Sequence, residues 1–327
     1  MGVRSGFLKK ITLFVCIFTL LFDMIPSGII CVETQKLSMS YIYFGTPEEY
    51  ISYVNRTKGS LNGVFTDYFN LNADGTLKLT SKIDSSFIRE MHNRGIKVIP
   101  YLSNHWDREA GRNALAGRTA LAQQIANAVR DHDLDGVNID IEGMNELDRD
   151  SYTDFVRILR GKLPADKMLS VAVASNPNGF TKGWQGSYDY SSLALYSDYI
   201  IVMAYDEHYE GGGPGPVASA SFVERSIQYA LEKVPKEKII LGIPFYGRYW
   251  KEGDTYSGYG ANMDTVQKLI EKYNGNAVYD RSSQSLKAVV TIKPGDETAR
   301  IGHRELTAGT YIIWGENEES IKYKLRL

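Results

Sequence analysis

Cysteine is nearly missing from this chain: 2 in 327 residues, Cys16 and Cys31, both close to the N-terminus. Everything beyond Cys31 is thiol-free, which excludes a disulfide scaffold and a cysteine nucleophile. No charge of one sign dominates either. The net charge is −2 and no basic stripe occurs, so nucleic acid is not an expected partner. His92, His105, His132, His208 and His303 lack metal-ligand spacing, and there is neither a G-x-S-x-G elbow nor a Walker lysine. No metal and no cofactor is therefore expected. Glu210 to Pro216 is glycine-rich but carries no phosphate motif, and reads as a mobile loop. The one long apolar run, Ile11 to Phe22, follows Arg4, Lys9 and Lys10 and is too short to span a bilayer comfortably. Residues 1–32 read as a signal peptide or an uncleaved N-terminal anchor, the only expected membrane contact. The rest, 33–327, is expected to be exported and monomeric, in the extracellular space, the cell envelope or a spore envelope.

What the chain does have is a β/α rhythm. Strands are expected at Met39–Gly45, Gly63–Phe69, Ile96–Leu102, the stretch around Asp140, Leu169–Ser175, Asp198–Tyr205 and Ile239–Tyr246. Helices fall between them. Thr46-Pro47-Glu48-Glu49 opens the first, with Thr as cap and Pro at the first helical position. Ala114 to Asp131 reads as one long helix, and Ser221-Phe222-Val223-Glu224 as a capping box. Seven such units favour an α/β fold, a (β/α)₈ TIM barrel. From about 256 to 310 the rhythm changes to short strands and a helix, a small α+β insertion after strand 7. Asn317 caps a last helix, and strand 8 with its helix is expected to be lacking from this chain.

One stretch carries chemistry. In Leu134-Asp135-Gly136-Val137-Asn138-Ile139-Asp140-Ile141-Glu142, polar and branched apolar residues alternate. On a strand, Asn138, Asp140 and Glu142 share one face and Val137, Ile139 and Ile141 the other, with the Cα atoms of the two carboxylates about 7 Å apart. Crowding two carboxylates on a desolvated face opposes their ionisation. The pattern also fits a half-exposed antiparallel strand with its polar face in water; the α/β setting favours a site.

Asp135-Gly136-x-Asn138-x-Asp140-x-Glu142 resembles the DGxDxDxE signature of family 18 glycoside hydrolases, the chitinase-like enzymes. Asn138 replaces the usual first Asp, as in the bacterial subgroup that cuts spore-cortex peptidoglycan. Met203-Ala204-Tyr205-Asp206 is similar to the family's M-x-Y-D motif, and Gly242-Ile243-Pro244-Phe245-Tyr246-Gly247-Arg248 to its G-x-P-x-Y-G-R. The resemblance implies a glycosidase acting on N-acetylglucosamine-containing glycans, either chitin or cortex peptidoglycan. It implies Glu142 as the acid and Asp140 as the group that orients the substrate acetamide, with Tyr205 holding the acetamide carbonyl and Asn138 hydrogen-bonded to Asp140. Met203, Asp206, Tyr246, Arg248 and Asn176 would contact substrate, with Trp184 and Tyr188 as further rim contacts. The alternative is a non-catalytic glycan-binding protein on the same scaffold: retention of Glu142 speaks against it, loss of strand 8 for it.

Overall fold

A computed structural model describes residues 36–327; the expected leader and both cysteines lie outside the described residues. Seven strands form one parallel sheet: β1 (Met39–Ile42), β2 (Gly63–Leu71), β3 (Lys97–Ser103), β4 (Gly136–Asp140), β5 (Met168–Ala174), β6 (Tyr199–Met203) and β7 (Ile239–Leu241). Their order in space is their order in sequence. A short strand, Leu77–Leu79, folds back on β2 after a turn at Asn72–Gly75. The winding is that of a (β/α)₈ barrel, with β1 and β7 at the two ends of the sheet and no eighth strand between them among the described residues.

Burial is layered as the sequence alternation demands. Phe65, Ile99, Tyr101, Met168 and Ile201 pack together inside the curved sheet. The opposite set, among them Val64, Val98, Val137, Ile139, Val171 and Val202, faces the helices Ser85–Asn93, Arg118–Asp131 and Arg149–Lys162. Among the described residues, no helix is long and apolar enough to cross a membrane.

Several local expectations hold. Thr46 and Glu49 form a reciprocal capping box on Pro47–Arg56, and Asn317 caps the helix Glu318–Lys324. Others need correction. The alanine-rich helix is two, Arg108–Ala116 and Arg118–Asp131, interrupted at Gly117, where the missing side chain makes continuation weakest. The helix Ala220–Leu231 is capped by Ser219, which accepts from the Phe222 amide at 3.2 Å, not by Ser221. Strand 7 does not run to Tyr246. It stops at Leu241, because Pro244 supplies no ladder donor, and Tyr246–Lys251 belongs to another sheet.

That second sheet is antiparallel, in the order Tyr259–Asn262, Tyr246–Lys251, Gly309–Gly315, Ser285–Ile292, Asn276–Asp280. The helix Met263–Lys272 covers it, and Tyr249, Val266, Leu269, Ala288, Val290 and Ile313 form its own core. Beyond its third strand Glu316 meets Lys324 at 2.7 Å, both side chains 1% exposed or less. Burial raises the Glu316 carboxyl above its ordinary range, and the ammonium of Lys324 pulls it back. Lys324→Ala should cost about 3 kcal/mol by stranding a buried charge. The exposed neighbour Lys322→Ala should change stability by no more than about 0.5 kcal/mol. Urea unfolding of the two variants side by side reads the difference.

Candidate active site

The site is built at the C-terminal ends of the parallel strands. Gly136 lets β4 approach β5: its φ is +151°, and a Cβ there would lie 2.0 Å from the Met168 carbonyl oxygen. Only glycine fits such a contact. Asp135, the first residue of the motif, is structural; its carboxylate accepts from the Val98 amide at 2.7 Å and pairs with His92 at 2.8 Å.

Asn138 is fully buried. It accepts from the Tyr41 hydroxyl at 2.8 Å and donates to Ser170 Oγ at 2.9 Å. Its amide is thus spent on β1 and β5, and the expected hydrogen bond to Asp140 is not made. Asp140 keeps one buried carboxylate oxygen with no protein partner among the described residues. Burial pushes its carboxyl well above the usual range. Glu142 is raised as well, by burial first, then by the charges of Asp140 and Asp206, while contact with Trp106 pulls the other way. Both carboxyls are thereby biased toward their protonated forms. A protonated acid beside a polar, unpartnered carboxylate is what protonation of a leaving oxygen requires.

Tyr205 stands next to this pair. Burial and the nearby Asp140, Glu142 and Asp206 charges push its phenol far up, so it remains a donor. Its hydroxyl has no protein partner among the described residues, so it is free to bind a ligand. Met203 is buried at the end of β6.

Tyr246 and Arg248 reach the site indirectly. The Tyr246 hydroxyl donates to Asp206 at 2.6 Å, and Arg248 clamps both oxygens of the same carboxylate at 2.9 and 3.0 Å. Asp206 itself sits at φ +57°, a conformation these three bonds hold in place. Asn176 is 1% exposed, and its amide is used in both senses on the backbone of Phe180. It braces its loop. Tyr188 is likewise buried, donating to the Ile141 carbonyl at 3.0 Å. Trp184 is half-buried, its ring 4.8 Å from that of Trp106.

The glycine-rich loop is hydrogen-bonded to neighbouring segments at two points. Gly211 N–H donates to the Ser257 carbonyl at 2.7 Å, and the Trp250 indole to the Gly212 carbonyl at 2.8 Å. Sequence reasoning missed Tyr41, Ser170, Asn104 and Trp106. A polar or aromatic residue at or just past the end of a parallel strand was the available signal for Asn104 and Trp106.

Two carboxyl groups close together are what a glycosidase needs, and this half-buried pair at the C-terminal ends of a parallel α/β sheet is the candidate active site. Residues 40–327 match the model of glycosyl hydrolases family 18, and the chain belongs to that family. It is 26% identical over 309 residues to the uncharacterized glycosylase YvbX of Bacillus subtilis, covering 90% of this chain and 85% of that one. The cortical fragment-lytic enzyme of Bacillus subtilis is 27% identical over 227 residues, 66% of this chain. There the alignment spans about half of the relative's length, 53%. The crystal structure of a chitinase from Chromobacterium violaceum superposes with a TM-score of 0.74 at 25% identity, covering 87% of this chain and 88% of that one.

Proposed function

We propose that this glycosidase is an exported enzyme that cleaves N-acetylglucosamine-containing glycans, peptidoglycan foremost, with retention of configuration and with help from the substrate's own acetamide. The observation that carries this reading is the raised carboxyl pair Asp140–Glu142 beside the unpartnered hydroxyl of Tyr205. Glu142 protonates the glycosidic oxygen. The 2-acetamido carbonyl then closes on the anomeric carbon from the opposite side, as in the substrate-assisted exception among retaining enzymes. Asp140, with an oxygen free, orients the acetamide N–H and offsets the positive charge that develops there, while Tyr205 donates to the acetamide carbonyl. Water then attacks the anomeric carbon as Glu142 takes a proton from it, and the bond from that carbon to the acetamide oxygen breaks, restoring the acetamide and the protonated acid.

Asp206 is no rival nucleophile, because Arg248 holds both of its oxygens. Asn138 places no like charge beside Asp140, which leaves Asp140 easier to ionise than an Asp–Asp arrangement would. The expectation of a leader over 1–32 and the cortex-directed name of one relative both support export and a peptidoglycan substrate.

Substrate assistance has a direct consequence. N-acetylglucosaminides should be hydrolysed and the matching glucosides left intact, and a thiazoline shaped like the cyclised intermediate should inhibit. Chromogenic substrates of both kinds, assayed at equal concentration, give the answer. Equal rates on the two would refute the mechanism.

A further inference from the structure

Asn104 directly follows the last residue of β3 and is 3% exposed. Its amide makes three hydrogen bonds, all to backbone. Oδ1 accepts from the Glu142 N–H at 2.8 Å. Nδ2 donates to the Glu142 carbonyl at 2.8 Å and to the Asp107 carbonyl at 2.9 Å. Backbone pairing between β3 and β4 ends at Ser103 and Asp140. Glu142 therefore lies beyond the ladder, where its strand would otherwise lose its partner. The Asn104 side chain gives Glu142 what a neighbouring strand gives, one acceptor and one donor on the same residue.

The loop that Asn104 opens is fitted to the same segment. His105 and Trp106 both take left-handed backbone angles, φ +49° and +63°, unusual for residues with a Cβ. Trp106 comes up against Gly143, at φ +73°, where a Cβ would meet the indole ring at 3.3 Å. Arg108 donates to the Gly143 carbonyl at 2.7 Å. We propose that Asn104 is a positioning residue for Glu142: its amide prolongs the β3–β4 ladder past Asp140 and holds the acid in its desolvated place between Asp140 and the Trp106 wall. This inference rests on the reading of Glu142 as the acid.

Position can be separated from charge. Around the Glu142 carboxyl stand Asp140 on its own strand, Asp206 after β6, the indole of Trp106, and the phenols of Tyr41, Tyr152, Tyr188 and Tyr205. Asn104→Ala removes none of them and introduces no charge. A change in the titration of Glu142 in that variant therefore reports where the carboxyl is.

The experiment is a ¹³C NMR titration of glutamate-labelled protein, with Glu142→Gln identifying the signal, beside steady-state kinetics. The wild-type signal should titrate above the ordinary glutamate range, and in Asn104→Ala its midpoint should fall by at least about one pH unit. Where turnover is measured, kcat should drop about 10²-fold with KM changed by less than about threefold, the pattern of a displaced reacting group. An unchanged midpoint in a cooperatively folded Asn104→Ala overturns the proposal. Should the alanine variant fail to fold, Asn104→Ser takes its place with the same expected fall in midpoint. If neither folds, Asn104 is a folding determinant and the positioning role is wrong. Should Glu142→Gln retain full activity, the acid assignment fails, while the titration still decides whether Asn104 holds residue 142.

Discussion

Glu142→Gln is expected to lower turnover by about 10²- to 10⁴-fold while glycan binding persists, the loss that follows removal of a positioned acid. The amide matches the carboxyl in shape, and the Asn104 bonds reach only the backbone of residue 142. Geometry should therefore survive the exchange. The same substitution should make the protein more stable, and the sign follows from the raised carboxyl. A group whose folded value lies above its unfolded one lends its stability at low pH and loses it as pH rises through the folded value. Burial raises Glu142 from an ordinary 4.5. Below that value wild type and Gln variant should unfold alike. Above it the wild type must ionise a carboxyl held out of water, whereas the amide need not. The variant's advantage should reach at least about 1 kcal/mol at mildly alkaline pH, since a tenfold change in acidity is worth about 1.4 kcal/mol. Thermal unfolding from pH 4 to pH 9 measures it. Near-normal turnover in the Gln variant would remove Glu142 from the mechanism. A stability difference independent of pH would show that its carboxyl is not desolvated.

The second large effect concerns a residue with no side chain. Gly136→Ala places a methyl group 2.0 Å from the Met168 carbonyl oxygen, at a backbone angle that L-residues rarely adopt. Strain of about 1–3 kcal/mol and overpacking of similar size add to roughly 4 kcal/mol, against a typical total of about 5–15 kcal/mol. Relief is possible only by moving β4 away from β5, and β4 carries Asn138 and Asp140. Turnover should therefore fall with stability, by about 10²-fold for a displacement of about 1 Å. Gly161→Ala, in the helix Arg149–Lys162 with open space around it, is the matched control and should be neutral or slightly stabilising. Equal urea midpoints for the two variants would show that the strand contact is softer than its geometry implies.

Arg248 and Tyr246 illustrate how far a motif can be read. Their resemblance to family residues placed them at the sugar, and they do reach the site, but with their polar ends on Asp206. The barrel strand before them ends at Leu241, and both residues belong to the antiparallel sheet. Pro244 was a visible reason to end the strand. Nothing local announced that a new sheet begins two residues later, since the partner strand Gly309–Gly315 lies far along the chain. Asn176 teaches the converse. A polar residue at the right strand end is equally well used to brace a loop.

The sequence by itself determined what depends on neighbours within a few positions. Alternation fixed which faces of β4 carry carboxylates and which carry Val137, Ile139 and Ile141. Thr46 and Asn317 set helix starts because a cap acts across three residues. The order of strands followed from right-handed β/α winding, which leaves few alternatives. Only the tertiary structure decided who touches the functional groups. Tyr41 reaches Asn138 across 97 residues, Arg248 reaches Asp206 across 42, and Asn104 reaches Glu142 across 38. The physical reason is common to all three. Each hydrogen bond joins groups on different strands or on the residues that follow them, and no periodicity within a strand encodes which polar group the closing sheet will bring opposite it. The upward shift of Asp140 and Glu142 belongs to the same class, since it is burial by the whole barrel, more than the spacing of the two acids, that raises them.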